Sequence, residues 1–364
     1  MTRLVFVSTL AYNYFFPGKV KQAGGHTRIY NLSRAFAKMP EYKVFCITGD
    51  FGQDKRVEKD GVTLIKAPID NPFAFLKVFK IINKLKPDVL VDFCASPRLF
   101  LYYMLKKFTG MNYIFLTCCD NDVNGDYKRA ENIFFHFLYA HGLNNADRIV
   151  AQIPNHQQSL KQNYNLKSEL VLSPYFAIKT KQVCKKEIVL WVGRAAYYKR
   201  PDLFVSLALR FPEQKFVMIC NKSAYDKSFM ENNKKGSFPA NLEFYEYIPY
   251  PEMEQFYKKA MFIVNTSDYE GFSNTFIEAA TNYAPILSLN SDPNDMLSVH
   301  GAGFVCHGSI EKLYKGCHQM LQDTNQLQNY GQKAFDYAVK YHQLEMAVDK
   351  FDHIFKSVRQ DSSV

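Results

Sequence analysis

The chain has little of several things, and each shortage excludes something. It has no Cys-x-x-Cys pair and no Cys/His spacing of a zinc site, so no structural zinc is expected. It has no apolar run long enough to span a bilayer. The first apolar stretch, Leu4 to Leu10, is short and lacks a small-residue cleavage site, so it reads as a buried strand rather than a leader. No Gly-x-Gly-x-x-Gly follows that stretch, which argues against a nicotinamide dehydrogenase. Neither low-complexity tracts nor repeats of solenoid length are present. The first half is short of acid: residues 1–175 hold 23 lysines and arginines against 14 acidic residues, and the remainder holds 22 against 21. That imbalance points to an anionic partner for the first half. The competing reading is a general preference for lysine, since 34 of the 45 basic residues are lysine.

What is present is a globular composition, 47% hydrophobic over 364 residues, enough for two domains. Eight cysteines, several inside apolar runs, suit free thiols in a reducing cytoplasm. Short apolar runs recur at 4–10, 42–48, 62–66, 88–93, 113–118 and 148–151, then at 188–192, 215–220, 242–248, 262–266, 285–289 and 303–306. They do not alternate, as expected of parallel strands buried on both faces. Amphipathic stretches such as 26–38 and 252–260 lie between them. The pattern predicts α/β architecture with two doubly wound, Rossmann-like domains facing across a cleft. The expected boundaries are 1–175 for the first domain, 176–340 for the second and 341–364 for a C-terminal helix packing back on the first. The domain break falls near 173–186, around Pro174, and a long helical pattern covers about 332–359.

Ligands of open α/β sheets bind at the carboxyl ends of strands, and three motifs stand there. After the run 188–192 come Gly193, which lets the chain turn, and the cations Arg194 and Lys199. Two fixed cations suit a diphosphate and its departure as a leaving group, although alone they also fit a solvated loop. After the run 262–266 come Glu270, Gly271, Phe272, Ser273, Asn274, Thr275 and Glu278. A helix begins around Ser273–Thr275, and its first amides favour an anion. Both glutamates can accept bonds from sugar hydroxyls. The plainer alternatives are a Thr275–Glu278 capping box and an exposed loop acid at Glu270. The third motif is Cys118-Cys119-Asp120-Asn121-Asp122.

The Glu270-Gly271-Phe272-Ser273-Asn274 … Ile277-Glu278-Ala279 segment, with seven residues between the two glutamates, resembles the signature of retaining family-4 glycosyltransferases of the GT-B fold. The Gly193-Arg194 … Lys199 loop followed by Pro201-Asp202-Leu203 is similar to their donor-diphosphate loop. The likeness is clear over about 187–306, extends to Gly24-Gly25 before the helix 26–38, and is weak across 50–175. It implies a hexosyltransferase acting with retention on a nucleotide diphosphate sugar, a UDP-sugar before a GDP-sugar, with no cofactor and no metal. Arg194 and Lys199 would bind the diphosphate, Glu278 the ribose and Glu270 the transferred sugar. Amides of 271–275 would touch sugar and phosphate, and Gly24 and Gly25 would allow a close approach of backbone to the diphosphate. The family's usual histidine near Cys119 or Asp120 is missing, and Asp120 is the candidate substitute. Asp120 with Asp122 also imitates a metal-binding pair, so a metal-dependent transferase is one alternative. A non-catalytic glycan- or membrane-binding relative is another.

The stretch 71–86 places Lys77, Lys80 and Lys84 on one side of a helix, with Phe75, Leu76, Phe79 and Ile82 on the other. With Lys106 and Lys107 it forms a candidate acceptor or membrane surface; the simpler reading is sheet cover with solvated lysines. The expected partners are a nucleotide sugar, a glycan or lipid-linked acceptor and an anionic membrane surface. The expected place is peripheral, on the cytoplasmic side of the membrane. No nucleic-acid motif appears.

Overall fold

The computed structural model describes residues 1–18, 24–69, 71, 75–125, 133–172, 184–221, 229, 238–270 and 272–361. Gly271 and residues 173–183, most of the expected interdomain break at 173–186, lie outside the described residues, as do the side chain of Phe75 and residues 72–74. The chain divides into two compact units. One comprises Met1–Tyr175 with Leu344–Val364, and the other Phe176–Gln343.

The first unit runs β1 (Thr2–Val7), α1 (Tyr12–Phe15), α2 (Gly24–Ala37), β2 (Tyr42–Thr48), β3 (Arg56–Lys59), β4 (Val62–Lys66), α3 (Phe75–Leu85), β5 (Val89–Phe93), α4 (Arg98–Thr109), β6 (Asn112–Leu116), α5 (Ile133–Asn144), β7 (Arg148–Ala151), α6 (Pro154–Tyr164) and β8 (Glu169–Leu170). The strand order is β3-β4-β2-β1-β5-β6-β7-β8. Every pairing is parallel except β3 with β4. Leu4, Val5, Phe6 and Val7 are all buried, which is why this run does not alternate. One core layer sets Ile29, Leu32 and Phe36 of α2 on the sheet, and the other is built from α3, α4 and α5. The strand β3 escaped the sequence reading because its four residues are mostly exposed and charged.

The second unit runs β9 (Ile188–Arg194), α7 (Pro201–Arg210), β10 (Phe216–Asn221), β11 (Leu242–Tyr245), α8 (Tyr250–Lys259), β12 (Ala260–Asn265), α9 (Asn274–Ala280), β13 (Ile286–Ser288), β14 (Gly303–Val305), α10 (Ile310–Gln322) and α11 (Thr324–Tyr341). Its six strands are ordered β11-β10-β9-β12-β13-β14, all parallel. The order reverses direction beside β9 and β12, the kind of switch point where an α/β sheet opens a crevice at its carboxyl edge. Both candidate donor motifs follow these two strands.

The helical pattern expected as one helix over 332–359 is two. The chain leaves helical geometry at His342 (φ −128°, ψ 20°), and α12 (Leu344–Asp361) follows. The amphipathic period continues through the break, so the sequence pattern concealed it. α12 belongs to the first unit, where Ala347, Phe351, Ile354 and Phe355 complete the core layer of α2.

Candidate active site

The strand β9 extends past the expected run and ends at Arg194. Gly193 is therefore a strand residue, not a turn residue, and corrects the expectation. It has no positive φ among the described glycines; what it supplies is space, since a Cβ there would fall 2.7 Å from the ring of Trp191. The Trp191 indole N–H donates to Thr266 Oγ1 (2.9 Å), and the Thr266 hydroxyl donates to the Lys199 carbonyl (2.6 Å). These bonds tie the loop after β9 to the loop after β12. The chain then turns at Arg200, whose φ is +48°.

Within that frame Lys199 forms an ion pair with Glu270, their side chains 16% and 11% exposed. Asn265 Nδ2 (3.2 Å) and the Ser267 hydroxyl (2.8 Å) also donate to the same carboxylate oxygen. Glu270 is thus a fixed, half-buried group, and the exposed-loop alternative fails. Arg194 is exposed beside it and donates to Tyr198 Oη (2.9 Å), while the Tyr198 ring stacks on Tyr269 at 4.8 Å. The structure brings one exposed guanidinium, held by Tyr198, one paired ammonium and one carboxylate to the same sheet edge.

Glu278 lies on α9, which begins at Asn274 after Ser273. It does not close a capping box with Thr275. Its carboxylate accepts a bond from Tyr257 Oη (2.5 Å), whereas Thr275 pairs with the Ser273 hydroxyl (2.8 Å). Burial pushes the Glu278 carboxyl from 4.5 up to about 7, against the opposing pull of the Tyr257 bond. Phe272 is half-buried, its ring 5.2 Å from that of His342. With seven residues, α9 carries little dipole, so Arg194 and Lys199 supply most of the positive charge here.

In the first unit, Gly24 and Gly25 stand in the first turn of α2 rather than in a loop before it. A Cβ on Gly25 would fall 2.6 Å from Cys118 Sγ and 3.0 Å from the Phe93 ring. Glycine is required there for helix-to-strand packing. The neighbouring His26 accepts at Nδ1 from Ser8 Oγ (2.8 Å), and burial, then the positive Arg98, lowers its pKa to about 3. It is a neutral ring.

Asp120 and Asp122 part company. Asp122 is 1% exposed and accepts from the amides of Ala95 (2.7 Å), Cys118 (2.6 Å) and Cys119 (2.9 Å). One of its oxygens closes the turn after β6 and the other ties that turn to the loop after β5, whereas Asp120 points elsewhere, so the two acids do not face one another as a pair. Asp120 faces outward and meets His156 Nε2 at 3.1 Å, and His156 Nδ1 meets Thr117 Oγ1 at 2.8 Å. His156, 1% exposed, is a residue that the sequence reading missed. It lies 36 positions from Asp120, and only the adjacency of β6 and β7 joins them. Asn265, Ser267 and Tyr257 were also missed; for the first two the available signal was a polar ending on the apolar run of β12.

Of the surface lysines, Lys77, Lys80, Lys84 and Lys107 are exposed. Lys106 is bound to Asp147 and belongs to the packing of α4. Leu76 is 70% exposed, on the lysine side rather than against the sheet, whereas Ile82 is buried.

Residues 177–337 match the model of "Glycosyl transferases group 1". No curated protein matches the sequence. Solved structures match across nearly the whole chain. Sucrose-phosphate synthase from Thermosynechococcus elongatus is 15% identical, with 98% of this chain and 99% of that chain covered and a TM-score of 0.80. HepE of Anabaena, solved with UDP-glucose, is 11% identical, with coverages of 98% and 100% and a TM-score of 0.72. A trehalose-6-phosphate protein from E. coli, bound with UDP-2-fluoro glucose, is 12% identical, with coverages of 98% and 99% and a TM-score of 0.69.

Proposed function

From the premise that this chain is a glycosyltransferase of the GT-B fold, with its group 1 module over 177–337, we propose a transfer of a hexosyl group from a UDP-sugar to a glycan hydroxyl. In this reading the reaction proceeds with retention at the anomeric carbon and without a resident metal. The acceptor is lipid-linked or part of a cell-surface polysaccharide, met at an anionic membrane surface by the basic first unit. The observation that carries the donor half is the fixed Lys199–Glu270 pair with Arg194 exposed beside it, at the carboxyl edge of β9 and β12. Support for the UDP donor comes from HepE, whose structure holds UDP-glucose.

The arrangement suggests an exchange of partners. A diphosphate entering beside Arg194 competes with Glu270 for the Lys199 ammonium. Glu270, still held by Asn265 and Ser267, is then released to accept bonds from sugar hydroxyls. The bond from C1 to the diphosphate oxygen breaks, and the two cations stabilise the charge that develops on the leaving group. The acceptor hydroxyl forms the new bond to C1 on the face the diphosphate leaves, and its proton passes to a diphosphate oxygen. Asp120, in the place of the family's usual histidine, is the candidate contact of the first unit with the acceptor.

The test is a panel of nucleotide sugars scored by thermal shift, since a ligand that binds only the folded state raises the melting temperature. A UDP-sugar should raise it, and the same sugar should be consumed in turnover. Arg194→Ala should lower turnover by about a hundredfold or more with an unchanged melting temperature. Near-normal turnover in that variant, or no shift with any nucleotide sugar, defeats the assignment.

A further inference from the structure

We infer that the outer face formed by α3, α4 and α5 is a bilayer-docking surface that enters an anionic leaflet with apolar side chains, α5 being the inserting element. The inference rests on the membrane reading above and adds to it a face and a mode of binding, insertion rather than charge attraction alone.

Three observations converge. The first is apolar exposure. On α5, Ile133 is 87% exposed, Phe134 58% and Phe137 60%, and on neighbouring helices Phe108 is 72% and Leu76 70% exposed. A side chain exposed alone needs no explanation, but a cluster on one face does. The second is continuity. α4 packs against both α3 and α5, and the three helices share one core layer. Phe137 stacks on His141 (5.9 Å), His141 meets the Tyr103 ring edge-on (4.8 Å), and Lys107 sits over Tyr103 (5.7 Å). The exposed rings of α5 therefore run into the basic end of α4 as one surface.

The third observation is charge. None of the three helices contains an aspartate or glutamate. Lys77, Lys80 and Lys84 stand exposed on α3, with Lys107 on α4. A second copy of the chain is a poor occupant, because a two-fold contact would set these lysines against themselves. An anionic leaflet satisfies both features, since its headgroups attract lysine and its acyl boundary takes up phenylalanine and isoleucine. The face of α5 that carries Tyr139 and Leu143 is buried in the core, while Ile133 and Phe137 stand 87% and 60% exposed.

The experiment uses the full chain with phosphatidylglycerol-containing vesicles and with pure phosphatidylcholine vesicles, at low and high salt. The chain should bind the first kind, weaken with salt, and retain a salt-resistant fraction. The triple variant Ile133→Ser, Phe134→Ser, Phe137→Ser should lower vesicle partitioning roughly tenfold or more, since burying even one such side chain outweighs a factor of ten. Its melting temperature should stay close to that of the unaltered chain, because each of the three side chains is more than half exposed. Phe134→Trp should be quenched by phosphatidylcholine brominated in its acyl chains, a readout that headgroup contact alone does not give. The native Trp191 is 2% exposed and supplies a constant background. If the unaltered chain binds no vesicle at any salt, the membrane reading itself fails, and this inference with it. If the triple variant binds as well as the unaltered chain, or the new tryptophan is not quenched, the membrane reading stands and this face is wrong. If the variant instead loses a self-association seen by sedimentation while vesicle binding is unchanged, the face is a contact between copies and the inference is overturned.

Discussion

Burial holds the carboxyl of Glu278 protonated up to about pH 7, yet ribose hydroxyls bind best to a carboxylate. Donor binding on the proposed reading therefore expels a proton. Affinity for the UDP-sugar should fall as pH drops below about 7, by at most about tenfold per pH unit. Titration calorimetry in buffers of different ionisation enthalpy measures the proton released, and Glu278→Gln should flatten both effects. The stability sign is separate. A carboxyl whose folded pKa lies above its unfolded 4.5 favours the folded state at low pH. Its contribution declines as pH rises from about 4.5 and levels off beyond about 7. His156 carries the second residue-scale prediction. If it positions Asp120, His156→Ala should lower turnover about tenfold while leaving donor affinity unchanged. The Asp120→Asn, His156→Ala double variant should then be no worse than the poorer single one. Additive losses would show that the two act independently. The types and spacing of Arg194, Lys199, Glu270 and Glu278 were legible in the sequence. The partners Tyr257 and His156 were not, because each acts across strands or helices that only folding brings together, whereas Asn265, five residues before Glu270, left only a polar ending on the run of β12.

At the scale of elements, the non-alternating apolar runs marked most strands well, because a strand buried on both faces has little freedom of composition. What they did not mark was where an element ends. The run expected to stop at Val192 continues to Arg194, since β10 supplies pairing partners through Asn221↔Arg194. The two glycines before the expected helix 26–38 are its first turn. Their sequence suggested a loop, whereas their cause is contact: the start of α2 meets Cys118 at the end of β6 and Phe93 at the end of β5. Replacing Gly25 by valine should therefore lower the melting temperature, by an overpacking cost of about 1–3 kcal/mol. Gly18→Val is the control, because a Cβ there meets nothing within 4 Å. Equal melting of the two variants, measured by circular dichroism, would remove packing as the reason for Gly25.

At the scale of the whole molecule, chain order and unit membership disagree at the C-terminus, and stability should reflect it. α12 follows the second unit in sequence but completes the first. Its Phe355 ring lies 5.0 Å from that of Phe36, Tyr42 Oη donates to Asp352 (2.6 Å), and Arg148 pairs with Asp361 (2.6 Å). Without α12, the buried rings of Phe36 and Tyr42 and the aliphatic side chains around them would face water. Phe351, 0% exposed, sits at the centre of this layer, and Phe351→Ala should cost about 3–5 kcal/mol. A fragment of residues 1–175 should consequently aggregate or melt without a cooperative transition, although it contains all eight strands of its sheet. A fragment of residues 177–343 should melt cooperatively, because both of its core layers are complete without α12. Adding residues 344–361 to the first fragment through a flexible linker should restore a cooperative transition. Circular dichroism melting of the three fragments decides the matter: a well-folded 1–175 would show that α12 is an accessory to the first unit rather than part of its core.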